Sequence, residues 1–133
     1  YGGSGHDTLD GDGSNDILWG SSGNDLLRGG NGADTLTGGS GHDTLNGGRG
    51  DDVLHGSYGK DVFIFESNFG QDTILDFGAG GDVIDFSALG LAGQDALTFT
   101  QSVDGLLLSV TPQHTLFLEG FDQANLGTDD LLF

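Results

Sequence analysis

Large apolar residues recur every nine positions through the first half of the chain, between runs rich in glycine and polar residues. Seven consecutive nine-residue units run without a gap from Gly2 to Ile64, and the eighth residue of each is apolar: Leu9, Leu18, Leu27, Leu36, Leu45, Leu54 and Phe63. Only positions seven to nine of each unit suit a strand, with one side chain pointing inward. The six residues before them predict a tight turn, since glycine reaches left-handed backbone angles without a Cβ clash.

This pattern predicts a coil that closes every two units. Two turns return the chain to its starting side, so one full coil takes eighteen residues. Stacked coils would then pair their short strands in parallel, and the residues at position eight would form an interior apolar ladder too thin to be a large core. We therefore expect an all-β fold with a parallel β-roll over residues 1–64.

The nine-residue pattern stops after residue 64, where the composition changes. Glycine falls from eighteen residues in 1–64 to nine in 65–133, and alternating apolar residues predict six strands in this later part. They are Val62–Glu66, Thr73–Phe77, Val83–Phe86, Leu97–Gln101, Leu106–Thr111 and Thr115–Glu119. Phenylalanines in this part supply a larger core than the apolar ladder does. We expect residues 65–133 to form a β-rich, sandwich-like cap on the open end of the roll.

The charge of the chain is strongly one-sided, with 21 acidic and three basic residues and a net charge of −18. Such a surface argues against binding of nucleic acid, anionic membranes or polyanionic polysaccharide. Cysteine is absent, and no apolar run approaches the roughly 20 residues of a membrane-spanning helix, so membrane insertion is not expected. No nucleophile arrangement, phosphate loop or dinucleotide motif is recognisable, which argues against catalysis by this chain.

The residue at position six is aspartate in all seven units: Asp7, Asp16, Asp25, Asp34, Asp43, Asp52 and Asp61. Alternate aspartates fall on opposite edges of the predicted roll, so neighbours on one edge lie one strand spacing apart, about 4.8 Å. Carboxylates that close repel by roughly 1 kcal/mol per pair even in water. A cation between successive turns would remove this repulsion and hold turns that one buried apolar side chain per unit cannot order.

Calcium is the cation that these turns predict. Every candidate ligand is an oxygen, from aspartate side chains or from backbone carbonyls, and a flexible shell of about six or more oxygens suits Ca²⁺. Zinc and copper favour cysteine or converging histidines, whereas His6 and His42 lie two coils apart and are better interpreted as solvated turn residues. Four turns on one edge and three on the other leave five gaps, so about five Ca²⁺ ions fit.

The unit G-G-x-G-x-D-x-U-x, with U apolar, resembles the hemolysin-type calcium-binding repeat of the RTX family, exoproteins that Gram-negative bacteria export by type I secretion. Residues 72–77 and 81–87 resemble the stretch after the repeats in serralysin-type metalloproteases, and residues 128–133 resemble the carboxyl-terminal export signal. The resemblance implies a secreted, extracellular chain with calcium and the type I secretion apparatus as partners. Tyr1 falls at position nine of an earlier unit, so we interpret the chain as the tail of a longer protein, preceded by an upstream domain.

In the RTX family each ion takes the aspartate and the carbonyls of positions two and four from one turn, and the aspartate and the carbonyls of positions one and three from the turn eighteen residues on. On one edge the resemblance implies carbonyl ligands at Gly3, Gly5, Gly20, Ser21, Ser22, Gly23, Gly38, Gly39, Ser40, Gly41, Gly56 and Tyr58. On the other edge it implies Asp12, Ser14, Gly29, Gly30, Asn31, Gly32, Gly47, Gly48, Arg49 and Gly50. Asp72 is a further candidate ligand, with a polar residue at the start of a strand as the alternative.

Four residues depart from the glycine pattern: Asp12, Ser14, Ser21 and Ser57. Their carbonyls remain, but non-glycine residues forced to positive φ add strain. The site that combines Asp12 and Ser14 with Asp16 therefore departs furthest from the motif.

Two functions are open from the sequence. The first is a module that stays disordered in low calcium, folds when it binds calcium outside the cell, and stabilises or caps the protein before it. The second is a carbohydrate-recognition module of the same fold, similar to the R-modules of alginate epimerases or to parts of adhesins, with a glycan as partner.

Overall fold

The computed structural model describes all 133 residues and contains fourteen strands and three short 3₁₀ helices. The strands are β1 (Gly3–Ser4), β2 (Thr8–Asp10), β3 (Ile17–Ser22), β4 (Leu26–Asn31), β5 (Thr35–Ser40), β6 (Thr44–Arg49), β7 (Val53–Tyr58), β8 (Val62–Ile64), β9 (Gln71–Ile74), β10 (Val83–Asp85), β11 (Thr98–Gln101), β12 (Gly105–Thr111), β13 (His114–Glu119) and β14 (Leu131–Leu132). The 3₁₀ helices are Ser87–Leu89, Gln94–Ala96 and Gln123–Asn125. Each is far too short to cross a membrane.

Two sheets enclose one core, and consecutive strands of the repeats alternate between them. The first sheet has the order β1-β3-β5-β7-β9-β13-β12-β11, and the second has the order β14-β10-β8-β6-β4-β2. Strands of the repeats pair in parallel at a displacement of eighteen residues, as Leu18 does with Leu36 and Leu36 with Leu54. The predicted eighteen-residue coil and the parallel β-roll are confirmed.

The strands of the repeats are longer than the three residues predicted for each unit. Strands β3 to β7 each span six residues, from position seven of one unit to position three of the next. The added residues stay in register with the next coil although position two has a positive φ, as in the pairs of Ser21 with Gly39 and Ser22 with Ser40. Backbone hydrogen bonds therefore hold the glycine-rich bend, and only positions four to six lie outside the strands.

The apolar side chains of position eight form the predicted ladder between the two sheets. Five of them have no solvent exposure: Leu27, Leu36, Leu45, Leu54 and Phe63. The first coil is less enclosed, and Leu9 and Leu18 are only partly buried. In the later part of the chain the Phe65 ring lies 5.1 Å from that of Phe69 and 5.5 Å from that of Phe86. One cluster of 17 buried residues thus joins the roll to its cap.

The roll does not end where the nine-residue pattern ends. Strand β9 pairs with β7 and β10 pairs with β8 in parallel, so Ile74 and Ile84 continue the apolar ladder beyond Leu54 and Phe63. Strands β13, β12 and β11 then extend the first sheet, and β14 adds a parallel edge strand to the second. Both sheets therefore cross the boundary predicted between residues 64 and 65. The division into 1–64 and 65–133 stays a prediction about folding units.

Candidate calcium sites

Position six of the repeats builds one column of aspartates along each edge of the roll. The N–H of each aspartate donates a hydrogen bond to Oδ1 of the aspartate one coil further on, at 2.7 to 2.9 Å. One column contains Asp7, Asp25, Asp43, Asp61 and Asp82, and the other contains Asp16, Asp34, Asp52 and Asp72. Oδ1 is thus used in the same way along each column, and Asp82 is the one column member whose Oδ2 also accepts a backbone N–H.

That second carboxylate oxygen is buried and has no hydrogen-bond partner at seven places. The seven atoms are Oδ2 of Asp7, Asp16, Asp25, Asp34, Asp43, Asp52 and Asp72. A buried carboxylate oxygen without a partner is costly, because the charge loses its hydration and gains nothing in exchange. Each of these oxygens therefore needs either a proton or a cation.

Backbone carbonyls from two successive turns point into the same gap. The carbonyl oxygens of Ser21 and Gly23, at positions two and four, point toward the next coil and fill the space that a Cβ would need at its matching positions. The carbonyl oxygen of Gly38, at position one of that coil, points back toward the first glycine of the earlier turn. The carbonyl oxygen of Ser40, at position three, also faces back and accepts the N–H of Gly23 at 2.8 Å. Four carbonyl oxygens of the two turns thus border one gap, and their role as calcium ligands stays a prediction.

Position one is glycine in all seven repeats because the carboxylate comes close to its Cα. A Cβ on Gly38 would overlap Oδ2 of Asp43, and a Cβ on Gly20 would overlap Oδ2 of Asp25. The φ angles of these two glycines are not in the left-handed region, so the constraint is space rather than backbone angle. The unpaired Oδ2 thus lies against a bare Cα, in a cradle that only glycine leaves open.

The pKa values of five column aspartates, Asp43, Asp52, Asp61, Asp72 and Asp82, lie above the ordinary value of 3.8. Burial, together with repulsion from neighbouring aspartates, raises the pKa of Asp52 and the pKa of Asp61 to about 6. Burial, with repulsion from Asp52, raises the pKa of Asp72 to about 8. Burial also raises the pKa of Asp43 and the pKa of Asp82. Hydrogen bonds from backbone N–H groups oppose these shifts in pKa without cancelling them. Without a cation these five carboxyl groups therefore retain protons above the usual pH range of a carboxyl group.

Two aspartates outside the nine-residue pattern complete the columns. Asp72 and Asp82 are each 2% exposed, and they accept the N–H groups of Asp52 and Asp61. From the sequence, Asp72 is predicted only as a further candidate ligand, and Asp82 is not predicted. A signal is present, because each of the two is followed two residues later by isoleucine, as position six is followed by the apolar position eight. Insertions in the two turns hide it, since the links span 20 and 21 residues instead of 18.

The two columns end differently. Oδ2 of Asp72 has no partner, whereas Oδ2 of Asp82 accepts the N–H of Gly78 at 2.9 Å. In the turn before Asp72, Asn68 has a φ of 70°, within the 66–87° of Asp12, Ser21 and Ser57 at position two. Ser67 stands where the repeats have their first glycine. The turn at Asp72 is therefore a modified repeat turn, while the turn at Asp82 is closed by its own backbone.

The four residues that depart from the glycine pattern all have positive φ, which confirms the predicted strain. The φ angles are 66° at Asp12, 95° at Ser14, 87° at Ser21 and 77° at Ser57. Such conformations cost about 1–3 kcal/mol each in non-glycine residues and persist only where their surroundings impose them. The carbonyl of Ser21 still points toward the next coil, so the substitution keeps the oxygen at the expense of backbone strain.

The donor set of each gap fits a calcium ion. No point in the structure gathers three or more histidine, aspartate or glutamate side chains. Each gap instead combines two carboxylates with backbone carbonyls of two turns, which is the all-oxygen, flexible environment that Ca²⁺ takes with about 6–8 ligands. The unpaired Oδ2 atoms and the glycine cradles both indicate where a cation would be held.

Comparison with known families settles the nature of the repeats. The family profile described as the RTX calcium-binding nonapeptide repeat, in four copies, matches residues 1–36 and 37–74, which is more than half of the chain. This chain belongs to the RTX calcium-binding repeat family. The repeats of the RTX chain are therefore calcium-binding repeats, and the resemblance inferred from the motif is confirmed. A comparison with curated proteins gives no match.

Solved structures similar to the RTX chain include two modules of one enzyme. The AlgE6R3 subunit of the mannuronan C5-epimerase from Azotobacter vinelandii has 36% identity and a TM-score of 0.74, over 92% of this chain and 80% of that one. The AlgE6R2 subunit has 32% identity and a TM-score of 0.71, over 98% and 91%. The extracellular lipase LipA from Serratia marcescens has 29% identity and a TM-score of 0.72 over 90% of this chain, which spans 20% of the lipase.

Proposed function

We propose that this RTX chain is a calcium-dependent folding module of a secreted protein. The observation that carries the proposal is the set of seven buried Oδ2 atoms that lack any partner. Without a cation the carboxyl groups must either hold protons or repel one another, and both conditions oppose the ordered roll near neutral pH. Bound calcium supplies the positive charge that these oxygens lack.

The apolar ladder is too small to order the turns by itself. Each repeat buries one large apolar side chain, which contributes about 1.5–3 kcal/mol. Ordering the backbone of the same nine-residue repeat costs about 1–2 kcal/mol for each residue. A ligand that binds only the folded form shifts this balance by mass action, so folding and calcium binding are one event.

The ligands that we propose are the column aspartates and the carbonyls of positions one to four that border each gap. Five gaps separate the seven repeat turns, which corresponds to about five ions. The gap between Asp52 and Asp72 adds a sixth candidate site, because Oδ2 of Asp72 is buried and unpaired. The gap between Asp61 and Asp82 is left out, because the N–H of Gly78 already binds Oδ2 of Asp82.

Export gives this calcium dependence a role. In low calcium the chain, with its 27 glycines and its net charge of −18, would stay disordered and pass through a secretion channel. In extracellular calcium it would fold and stabilise the domain before it. The segment 128–133, which resembles an export signal, is tied to the folded roll, since β14 pairs with β10 and the ring of Phe133 lies 6.3 Å from that of Phe86.

A calcium titration followed by far-UV circular dichroism tests the proposal. We expect a disordered spectrum in excess chelator at neutral pH and a cooperative change to a β spectrum as calcium is added. Magnesium serves as the control ion, because it prefers rigid octahedral sites and gives up its waters reluctantly. A chain that shows the full β spectrum in chelator at neutral pH would refute calcium-dependent folding.

One surface feature favours carbohydrate recognition as a second candidate function. Two of the three basic residues, Arg28 and Arg49, line a hollow of about 290 Å³ together with one acidic residue, Glu66. The rest of the lining is polar or glycine: Gly30, Asn31, Asn46, Gly48 and Ser67. Neither arginine forms a salt bridge, although the chain has 21 acidic residues. The paired arginines and amides suit bidentate binding of a carboxylate beside sugar hydroxyls.

Bound calcium would reduce the electrostatic repulsion between this acidic chain and an acidic glycan. Residues 1–64 carry ten acidic and three basic residues, a net charge of −7, and five divalent ions would add +10. Calorimetric titration in calcium with mannuronan oligosaccharides tests the idea, since a mannuronan epimerase contains the similar modules. We expect heat that disappears in the double variant Arg28→Ala, Arg49→Ala. No heat with the unmodified chain would exclude this second function and leave the first untouched.

A further inference from the structure

Position five of the repeats, which the motif leaves free, forms a second series of links between coils. On one edge the N–H of Asn24 donates to Nδ1 of His6 at 2.8 Å, and the N–H of His42 donates to Oδ1 of Asn24 at 2.9 Å. The N–H of Lys60 donates to Nδ1 of His42 at 2.9 Å. In every case the side chain at position five accepts the N–H of position five in the next coil, and we call each such bond a clip.

The other edge carries the same clips with one missing. The N–H of Ala33 donates to Oδ1 of Asn15 at 2.9 Å, and the N–H of Gln71 donates to Oδ1 of Asp51 at 2.9 Å. Between these two clips stands Ala33, whose methyl group has nothing to accept with. The N–H of Asp51 accordingly makes no hydrogen bond.

The side chains that form clips share one property only. Asparagine, histidine and aspartate differ in size and charge, but each places an acceptor atom within reach of the same N–H group. His6 and His42 are exposed, as expected for solvated turn residues, but each also accepts a hydrogen bond from the next coil. Although position five is exposed, the clip requires a side chain with a hydrogen-bond acceptor there.

We propose that position five is a positioning residue for calcium, and that Ala33 makes the gap between Asp34 and Asp52 the one proposed calcium gap without a clip. The clip restrains the residue directly before the column aspartate, so it fixes the spacing at which two carboxylates share one cation. Where it is absent, one side-chain link remains between the two turns, from the N–H of Asp34 to Oδ1 of Asp52 at 2.8 Å. Backbone hydrogen bonds from Gly32 to Arg49 and from Val53 to Asp34, both at 2.9 Å, lie on either side of it. The inference rests on the proposed calcium sites and names the residues that set their geometry.

Installing the missing clip is the direct test. In the variant Ala33→Asn, the new side chain stands one coil beyond Asn15 on the same edge and has the same reach toward the next N–H. We expect the amide of Asp51 to exchange with solvent about five-fold more slowly in calcium, the factor that corresponds to one hydrogen bond of about 1 kcal/mol. The matched control is Ala33→Leu, which has nearly the same shape and no acceptor, and should leave this exchange rate unchanged.

Removing a clip and restoring it with a different side chain gives the second arm. We expect Asn24→Leu to speed exchange of the His42 amide and to weaken calcium binding, and Asn24→His to restore both, since His6 and His42 already form clips. Equal protection of Asp51 in Ala33→Asn and Ala33→Leu, or no rescue by Asn24→His, overturns the inference. Amide exchange requires only a folded chain, so a failure of calcium-dependent folding in the unmodified protein would be seen separately.

Discussion

Replacing Gly38 with alanine would place a methyl group where Oδ2 of Asp43 lies. The carboxylate cannot move aside without loss, because its Oδ1 accepts the N–H of Asp25 at 2.8 Å and its Oδ2 faces the gap that we assign to calcium. Overpacking of a closely packed site costs about 1–3 kcal/mol. We therefore expect Gly38→Ala to lower the unfolding free energy in saturating calcium by about 1–3 kcal/mol.

Gly13→Ala is the matched control for this substitution. Gly13 also lies in a repeat turn and has no left-handed φ, but the nearest atom to an added Cβ is the carbonyl oxygen of Asn31, 3.8 Å away. The reduced freedom of the unfolded chain should leave Gly13→Ala unchanged or more stable by up to about 1 kcal/mol.

Urea denaturation in calcium, followed by circular dichroism, measures both variants under one condition. Because Oδ2 of Asp43 lies against the Cα of Gly38, we expect Gly38→Ala to lose unfolding free energy and Gly13→Ala to lose none. Only Gly38→Ala should need a higher calcium concentration to reach its folding midpoint. Equal changes in unfolding free energy for the two substitutions would refute this explanation. The change would then come from replacing a turn glycine with alanine, through backbone entropy, and not from overlap with Asp43. Full stability of Gly38→Ala would show that the close approach of Asp43 is not needed.

Three further predictions follow from the columns. Asp43→Asn alters two gaps and should raise the calcium midpoint of folding more than Asp7→Asn, which alters one. Asp43→Asn should also make the chain more ordered in chelator. Calcium titrations of both variants, followed by circular dichroism, test these expectations. Asp72→Asn should reduce the number of bound ions by one in calorimetry, whereas Asp82→Asn should leave it unchanged. In chelator the ordered form should lose stability as the pH rises from about 4 to about 8, because carboxyls whose pKa is about 6 or about 8 when folded hold protons that the unfolded chain, at 3.8, releases. Urea denaturation across this pH range measures whether stability falls or rises with pH. In saturating calcium we expect stability to rise with pH instead.

The sequence predicts the repeated part of this fold well because every unit carries the same information. Position eight is apolar in each repeat and is fully buried in all but the first two repeats. Position six is aspartate in each repeat and forms the two columns. Successive aspartates lie on opposite edges because two nine-residue units make one coil. Identity across seven units removes the ambiguity that a single short apolar run would have.

The parts that the sequence analysis misses depend on contacts between coils rather than on the unit itself. Asp82 escapes because an insertion changes the spacing while the column continues. The clips at position five escape because His6, Asn24 and Asp51 look unrelated by class and share only the reach of one acceptor atom. The longer strands arise for the same reason, since pairing with the next coil keeps residues at positive φ in register.

The location of the cations is the most direct test of the account. Crystals grown in abundant calcium, with data collected for anomalous scattering, would show the ions themselves. We predict anomalous peaks between successive aspartates along both edges, within about 2.3–2.6 Å of Oδ2 atoms and of carbonyls from both turns. Well-ordered turns with water or nothing between Asp25 and Asp43 would contradict the claim that calcium holds this roll together.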